Sequence, residues 1–175
     1  MDFMEAQIHP GRMAYPVELL QLASELANFD SADSRQACLR RSVSTAYYAL
    51  FHLLIAEAAR NWAHPELRSD LSRVFEHGKM KSASSDISRA LSGLKKTRPL
   101  AETSANLLVV VDAFINLQQE RHEADYDTGK TWNRIDVLML INVASEAFAS
   151  WKVIRDEPEA QAYLVSLFGK RRRPE

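Results

Sequence analysis

The sequence predicts an all-α protein, an up-and-down antiparallel bundle of about five main helices with short extra ones. Three observations lead there. Apolar residues recur at steps of three and four over long stretches, no stretch alternates apolar with polar as a half-buried strand does, and only five glycines punctuate 175 residues. A chain 46% hydrophobic and 26% charged has an ordinary soluble composition, so residues 1–175 are read as one domain around one core.

The first helix is expected to start near Pro16, because proline is favoured in a first turn, with Leu19, Leu22, Ala23 and Leu26 on one face. "DSADS" ends it and caps the next. A second helix, from about Ser34 to Trp62, carries Ala37, Ser44, Tyr47, Phe51, Leu54 and Ala58 at core spacing. Tyr48 and His52 sit beside that seam, and Arg40 and Arg41 solvate the helix start. His64 and Pro65 restart the chain into a shorter helix, "ELRSDLSRVFEH", which Gly78 can end through the left-handed cap conformation. "KMKSASS" reads as a loop and Asp86 to Leu94 as a short helix, with "KKTRP" terminating it ahead of Pro99. A long fifth helix follows from about Ala101 to Asp125. "DTGKT" is a turn, and Asn133 to Arg155 forms another long helix with Val137, Leu140, Ala144, Phe148 and Trp151 as its stripe. Pro158 opens a last helix that Gly169 closes before the basic tail, residues 170–175. Connections this short make consecutive helices antiparallel neighbours.

A net charge of -1 and a pI near 6.5 exclude a wholesale electrostatic grip on nucleic acid and leave room for a local basic patch. Lone Cys38 cannot form an internal disulfide and suits a reducing compartment. The amino-terminal "MDFMEAQIHPGRM" has no basic start followed by an apolar stretch, and no unbroken apolar run approaches the ~20 residues that span a bilayer. A cytoplasmic protein without membrane insertion is expected.

The informative stretch is "RHEADYD", Arg121 to Asp127, which puts a polar cluster at the end of an apolar helix. Leu107, Val111, Phe114, Gln118, Arg121 and Asp125 advance by alternating steps of four and three, so Arg121 and Asp125 continue the core line. His122 and Tyr126 lie on the flank of Leu108 and Ile115. Two readings stand side by side. In one, Arg121 and Asp125 are an ion pair near a frayed helix end, contributing about 0.3 to 0.5 kcal/mol if exposed. In the other, an inward guanidinium occupies a polar pocket at the bundle's end, because a buried charge must be paired or hydrogen-bonded. Ser44 and Tyr48 could reach Arg121 from the facing helix with their hydroxyls.

"SVSTAYYALFHLL", Ser42 to Leu54, followed much later by "RHEADYD", resembles the HEPN domains, specifically the compact prokaryotic group with "AYYALFH"-like and "R..ADY"-like motifs. The resemblance spans roughly Ala37 to Phe148. It implies a bundle of about five helices, a homodimer, and membership of a superfamily rich in RNA-cleaving toxins, their relatives, and nucleotide-linked or RNA-associated proteins. A nucleotidyltransferase-like partner protein would fit such a two-component system. In the cleaving members an arginine is followed, after four to six residues, by a histidine; here Arg121 matches the arginine and Tyr126 stands after four intervening residues. Metal-independent cleavage needs a group that exchanges protons near neutral pH, as histidine does and tyrosine, with pKa about 10, does not. The expected function is therefore a non-catalytic RNA-, nucleotide- or protein-binding module of a toxin-antitoxin or defence-type system, with Ser44, Tyr48 and His52 supporting Arg121. One alternative is a ribonuclease in which Arg121 stabilises phosphate charge, His122 transfers the proton, Asp125 orients one of them and Tyr126 completes the cluster. The other is a purely structural interaction bundle.

Other motifs fall short. "DTGKT" lacks the earlier glycine of a phosphate-binding loop, "HEADY" has Tyr126 where a zinc-protease helix needs histidine, and no Glu-x-x-His pair marks a di-iron bundle. No metal or cofactor is implied. His9, His64 and His77 read as surface or capping residues. Lys170, Arg171, Arg172 and Arg173 could contact phosphate, and Lys95, Lys96 and Arg98 could join them.

Overall fold

The computed structural model describes residues 10–29, 35–62 and 64–169. Among them every regular element is helical: α1 (Pro10–Asn28), α2 (Gln36–Arg60), a 3-10 turn (Pro65–Leu67), α3 (Arg68–Ser72), α4 (His77–Lys95), α5 (Glu102–Tyr126), α6 (Arg134–Ile154) and α7 (Pro158–Ser166). The protein is an all-α bundle of five main helices, α1, α2, α4, α5 and α6, with three short ones at its margins.

Helix α2 is the hub, packing on α1, α5 and α6 and touching α3 and α7. Its sequence was read as one seam, yet it is buried almost all round. From Ser42 to Ile55 only Tyr48 and His52 are half-buried and the rest are buried, while Ala37 in the first turn is exposed. A helix walled in by neighbours on all sides loses the amphipathic contrast that marks a surface helix. Small residues make this possible, since Ser42, Ala46 and Ala49 let neighbouring backbones approach, and the Ser42 hydroxyl donates to the Ala23 carbonyl at 2.7 Å.

Three expectations need correction. Helix α1 begins at Pro10 and carries Pro16 in its interior, where the proline is buried in the bundle. Its inward line is Pro16, Ala23 and Ala27 with Leu20 partly buried, whereas Leu22 is 43% exposed. Gly78 ends nothing, being the second residue of α4; the preceding helix is one short turn, Arg68–Ser72. "KMKSASS", read as a loop, is the first half of α4. Its serines signal irregular structure only until their hydroxyls are satisfied. Ser84, fully buried, donates to the Met80 carbonyl at 2.8 Å and lies 2.9 Å from the Tyr163 hydroxyl on α7. Tertiary packing of Met80 and Ser84 overrides the local signal. Gly169, after α7, does adopt a left-handed φ of 91°.

Helix α6 buries Val137, Ile141, Ala144, Ala147, Trp151 and Ile154, with Leu140 and Phe148 partly buried. By length and composition alone it could cross a membrane, and a third of its most apolar window is buried inside the bundle.

Candidate functional site

The core line of α5 changes character within its last three turns. Leu107, Val111 and Phe114 are buried apolar residues, and Gln118, Arg121 and Asp125 follow on the same line. Each of the three has a partner on another helix. Gln118 donates to the His77 carbonyl at 3.1 Å, Arg121 Nη2 donates to the Tyr48 hydroxyl at 3.0 Å, and Asp125 Oδ1 accepts from the Ser44 hydroxyl at 2.6 Å. Thus one i, i+4 pair on α2 meets an i, i+4 pair on α5. Tyr48 bonds the guanidinium, while Ser44 bonds the carboxylate and not, as expected, the arginine.

Arg121 and Asp125 are not a free surface pair. Their side chains are 20% and 25% exposed, with Nε 2.8 Å from Oδ2. The Nε–H is not directed at the carboxylate, so the contact is an ion pair without a hydrogen bond along that N–H. The guanidinium carbon lies 5.5 Å from the Tyr48 ring centre, 5.9 Å from Tyr126 and 6.0 Å from Tyr47, within cation–π range of all three. Burial opposes the charge, but Tyr48 and Asp125 outweigh it and hold the arginine protonated above its ordinary value.

The end of α5 is fixed from the first turns of α2. Arg40, read as a solvating residue, instead donates to three carbonyls: Ala124 at 2.9 Å, Asp127 at 2.8 Å and Lys130 at 2.5 Å. These include carbonyls that a helix C-terminus leaves without intrahelical partners. Gln36 clamps the same loop, accepting from the Trp132 amide at 2.9 Å and donating to its carbonyl at 2.7 Å. Within "DTGKT", Asp127 Oδ1 accepts from the Gly129 and Lys130 amides, and Lys130 spans Glu120 and Glu123 with its ammonium 4.0 Å from the Trp132 ring centre. The turn positions the cluster above it.

Two histidines join the site. His77, read above as a surface or capping residue, opens α4 with Nδ1 2.6 Å from the Tyr47 hydroxyl and its ring stacked on Phe51 at 4.2 Å. Burial, then the nearby Arg121 charge, push its pKa below the ordinary value; burial, then His77, do the same to His52. Burial raises the Tyr47 phenol, with Arg121 opposing, so it stays protonated. A neutral imidazole and a protonated phenol can share the bond with the phenol donating to Nδ1. His52 stacks on Tyr48 at 6.2 Å and meets the Tyr15 ring edge-on at 5.1 Å.

The structure therefore gathers Ser44, Tyr48, His52, Arg121 and Asp125, with Tyr126 at the rim, 66% exposed. It leaves His122 outside: that residue is exposed, and its ring contact is with Tyr126 at 5.0 Å. His122 thus reaches the rim only through Tyr126, while a second imidazole, His77, is bonded to Tyr47, whose ring centre lies 6.0 Å from the Arg121 guanidinium carbon. No local motif marks His77, since it comes from a different helix and stands 44 residues before Arg121 (121 − 77). His64 is exposed, beside Glu66. His9 and the tail residues Lys170 to Arg173 lie outside the described residues. A groove of about 790 Å³ between α4 and α7, lined by Lys79, Ser82, Ile87, Val165 and Phe168, holds none of the candidate site residues named above.

No family model, curated protein or solved structure matches the chain.

Proposed function

We propose that the chain is a HEPN-like, non-catalytic module that holds a phosphate of RNA or of a nucleotide against Arg121, in a toxin-antitoxin or defence-type setting with a nucleotidyltransferase-like partner protein. The observation that carries this reading is the state of the guanidinium. It is charged, fixed on one edge by Tyr48 and Asp125, and flanked by the exposed Tyr126 ring. A fixed guanidinium is preorganised for phosphate oxygens, and a neighbouring exposed ring offers a base a stacking platform. Asp125 moderates the affinity by neutralising part of the charge. Binding should therefore be salt-sensitive but not tight. The test is fluorescence anisotropy of a labelled single-stranded RNA at low salt with the natural chain, Arg121→Ala and Tyr126→Ala. The reading expects at least a tenfold loss for the first and a smaller loss for the second, and equal binding by all three contradicts it.

A second reading, ribonuclease activity, is favoured by one observation: the His77 imidazole bonds the hydroxyl of Tyr47 at 2.6 Å, and the Arg121 guanidinium lies 6.0 Å from that same ring. In that case His77, not His122, is the proton-transferring group. Cleavage that disappears in both His77→Gln and Arg121→Ala, and persists in His122→Gln, supports it over the binding module.

A further inference from the structure

The phosphate reading of Arg121 leaves a second guanidinium unused. The contacts of Ser44 with Asp125 and of Tyr48 with Arg121 show α2 and α5 running antiparallel. Going back along α2 from Tyr48 therefore follows the same direction as going forward along α5 from Arg121. Arg41 and Tyr48 are seven residues apart, so they share one line of α2 about 10.5 Å apart along its axis. Arg41 thus stands past the level of Asp125, towards the end of α5 that carries the exposed Tyr126 ring. It is exposed, and among the described residues its side chain has no hydrogen bond, ion pair or ring contact.

The cations already placed at this end of α5 are committed. Arg40 is taken up by three carbonyls, Lys130 sits between Glu120 and Glu123, and Arg121 has Asp125 against it. The carboxylate of Asp127 is turned to the Gly129 and Lys130 amides. A helix C-terminus adds negative potential of its own. A ligand with more than one phosphate is repelled here unless the second one reaches a further cation.

We propose, on the strength of Arg121 as a phosphate anchor, that Arg41 holds the neighbouring phosphate of the same strand, so that the ligand is a single-stranded oligonucleotide with two successive phosphates and not a mononucleotide. The intervening nucleoside spans the gap over Asp125 and lays its base on the Tyr126 ring, whose centre is 5.9 Å from the Arg121 guanidinium carbon. The long arginine side chain closes part of the two-turn separation, and its planar fork takes a phosphate bidentately. A nucleoside triphosphate suits the site poorly. Its phosphates are contiguous, so anchoring one on Arg121 sets the others against Asp125 and short of Arg41. A duplex suits it poorly too, because its bases are paired and stacked on each other.

The test is NMR titration of the full chain at low salt with uridine 5′-monophosphate, with the dinucleoside monophosphate UpU, and with pUpU, which alone of the three carries two successive phosphates. The natural chain should bind pUpU about fivefold tighter than UpU, the upper end for an exposed ion pair. Arg41→Ala should remove that difference and leave the melting curve and the affinity for UpU unchanged. Its log K for pUpU against log salt should lose about 0.7 of slope, the signature of one phosphate contact given up by a single strand. Arg41→Lys should restore the slope and only part of the affinity. Lys152→Ala, at an exposed position on α6, should change neither, and Arg121→Ala should weaken all three probes. Equal affinity of the natural chain for UpU and pUpU, with Arg121→Ala still weakening both, would overturn the Arg41 contact and leave the Arg121 anchor standing. No effect of Arg121→Ala on any probe would overturn both. Uridine triphosphate binding more tightly than pUpU would contradict the strand, and an equal loss of pUpU affinity in Lys152→Ala and Arg41→Ala would reduce the effect to net charge; either result overturns the proposal.

Discussion

Replacing Arg40 by alanine removes three charge-assisted hydrogen bonds at once, to the carbonyls of Ala124, Asp127 and Lys130. Hydrogen bonds from charged donors contribute roughly 1.5 to 3 kcal/mol each, but the three share one guanidinium in a partly buried site, and water can reach part of the loop after truncation. A net loss of about 3 kcal/mol is the expectation. For a domain of this size 1 kcal/mol moves the melting temperature by about 2 to 4 °C, so Arg40→Ala should melt about 6 to 12 °C lower. Arg40→Lys should recover a minority of the loss, because a single ammonium cannot reproduce a fork that spans three carbonyls. Circular dichroism melts and urea titrations of the three proteins measure this. Since the same contacts fix the end of α5, the RNA binding proposed for Arg121 should weaken in Arg40→Ala at temperatures where the chain is still folded. A melting temperature within about 2 °C of the natural chain's would refute the anchoring role and with it the explanation of why the polar end of α5 is ordered.

Other outcomes follow from the same geometry. Glu57, 1% exposed, accepts from Arg155 at 2.7 Å with Arg60 3.3 Å away, so Glu57→Ala should destabilise by about 3 kcal/mol in a urea titration, as breaking a buried pair does. Ser84→Ala strands the Tyr163 hydroxyl in the core and should lose about 1 to 3 kcal/mol, a loss that adding Tyr163→Phe partly restores. His52 and His77 both have folded pKa values below the ordinary one, so the unfolded chain takes up more protons. Stability is then full above about pH 7 and falls as the pH drops through about 6.5, with a slope of at most about 2.7 kcal/mol per pH unit for two protons. Melts at pH 7.5 and 5.5 should differ, and less so in His52→Gln/His77→Gln; identical melts would contradict the burial of both rings.

The helical class and the placing of α2, α5 and α6 were legible because apolar residues recur along them at helical steps, although burial on all sides hid how little of α2 faces solvent. The first half of α4 was not, since Ser82, Ser84 and Ser85 imitate a loop until the packing of Met80 and the Tyr163 hydroxyl are known. Arg121 and Asp125 could be placed on the core line from spacing alone, and Tyr48 followed from its position on the facing helix. His77 and Arg40 could not be found that way. Each joins the site across a long sequence separation, 41 residues from Gln118 and 84 from Ala124, and neither belongs to a local pattern. Tyr126 in the local stretch offers no group that titrates near neutral pH, and only tertiary structure brings the His77 imidazole to Tyr47, whose ring faces Arg121.

The most direct measurement is nitrogen-15 NMR of the Arg121 side chain during titration with a short single-stranded RNA and, separately, with a nucleotide. Phosphate binding at this guanidinium predicts a saturable shift of its Nε–H resonance, absent when Tyr126 ring contacts are perturbed by a phosphate-free nucleoside. An Arg121 resonance that stays fixed while the RNA binds elsewhere on the chain would contradict it.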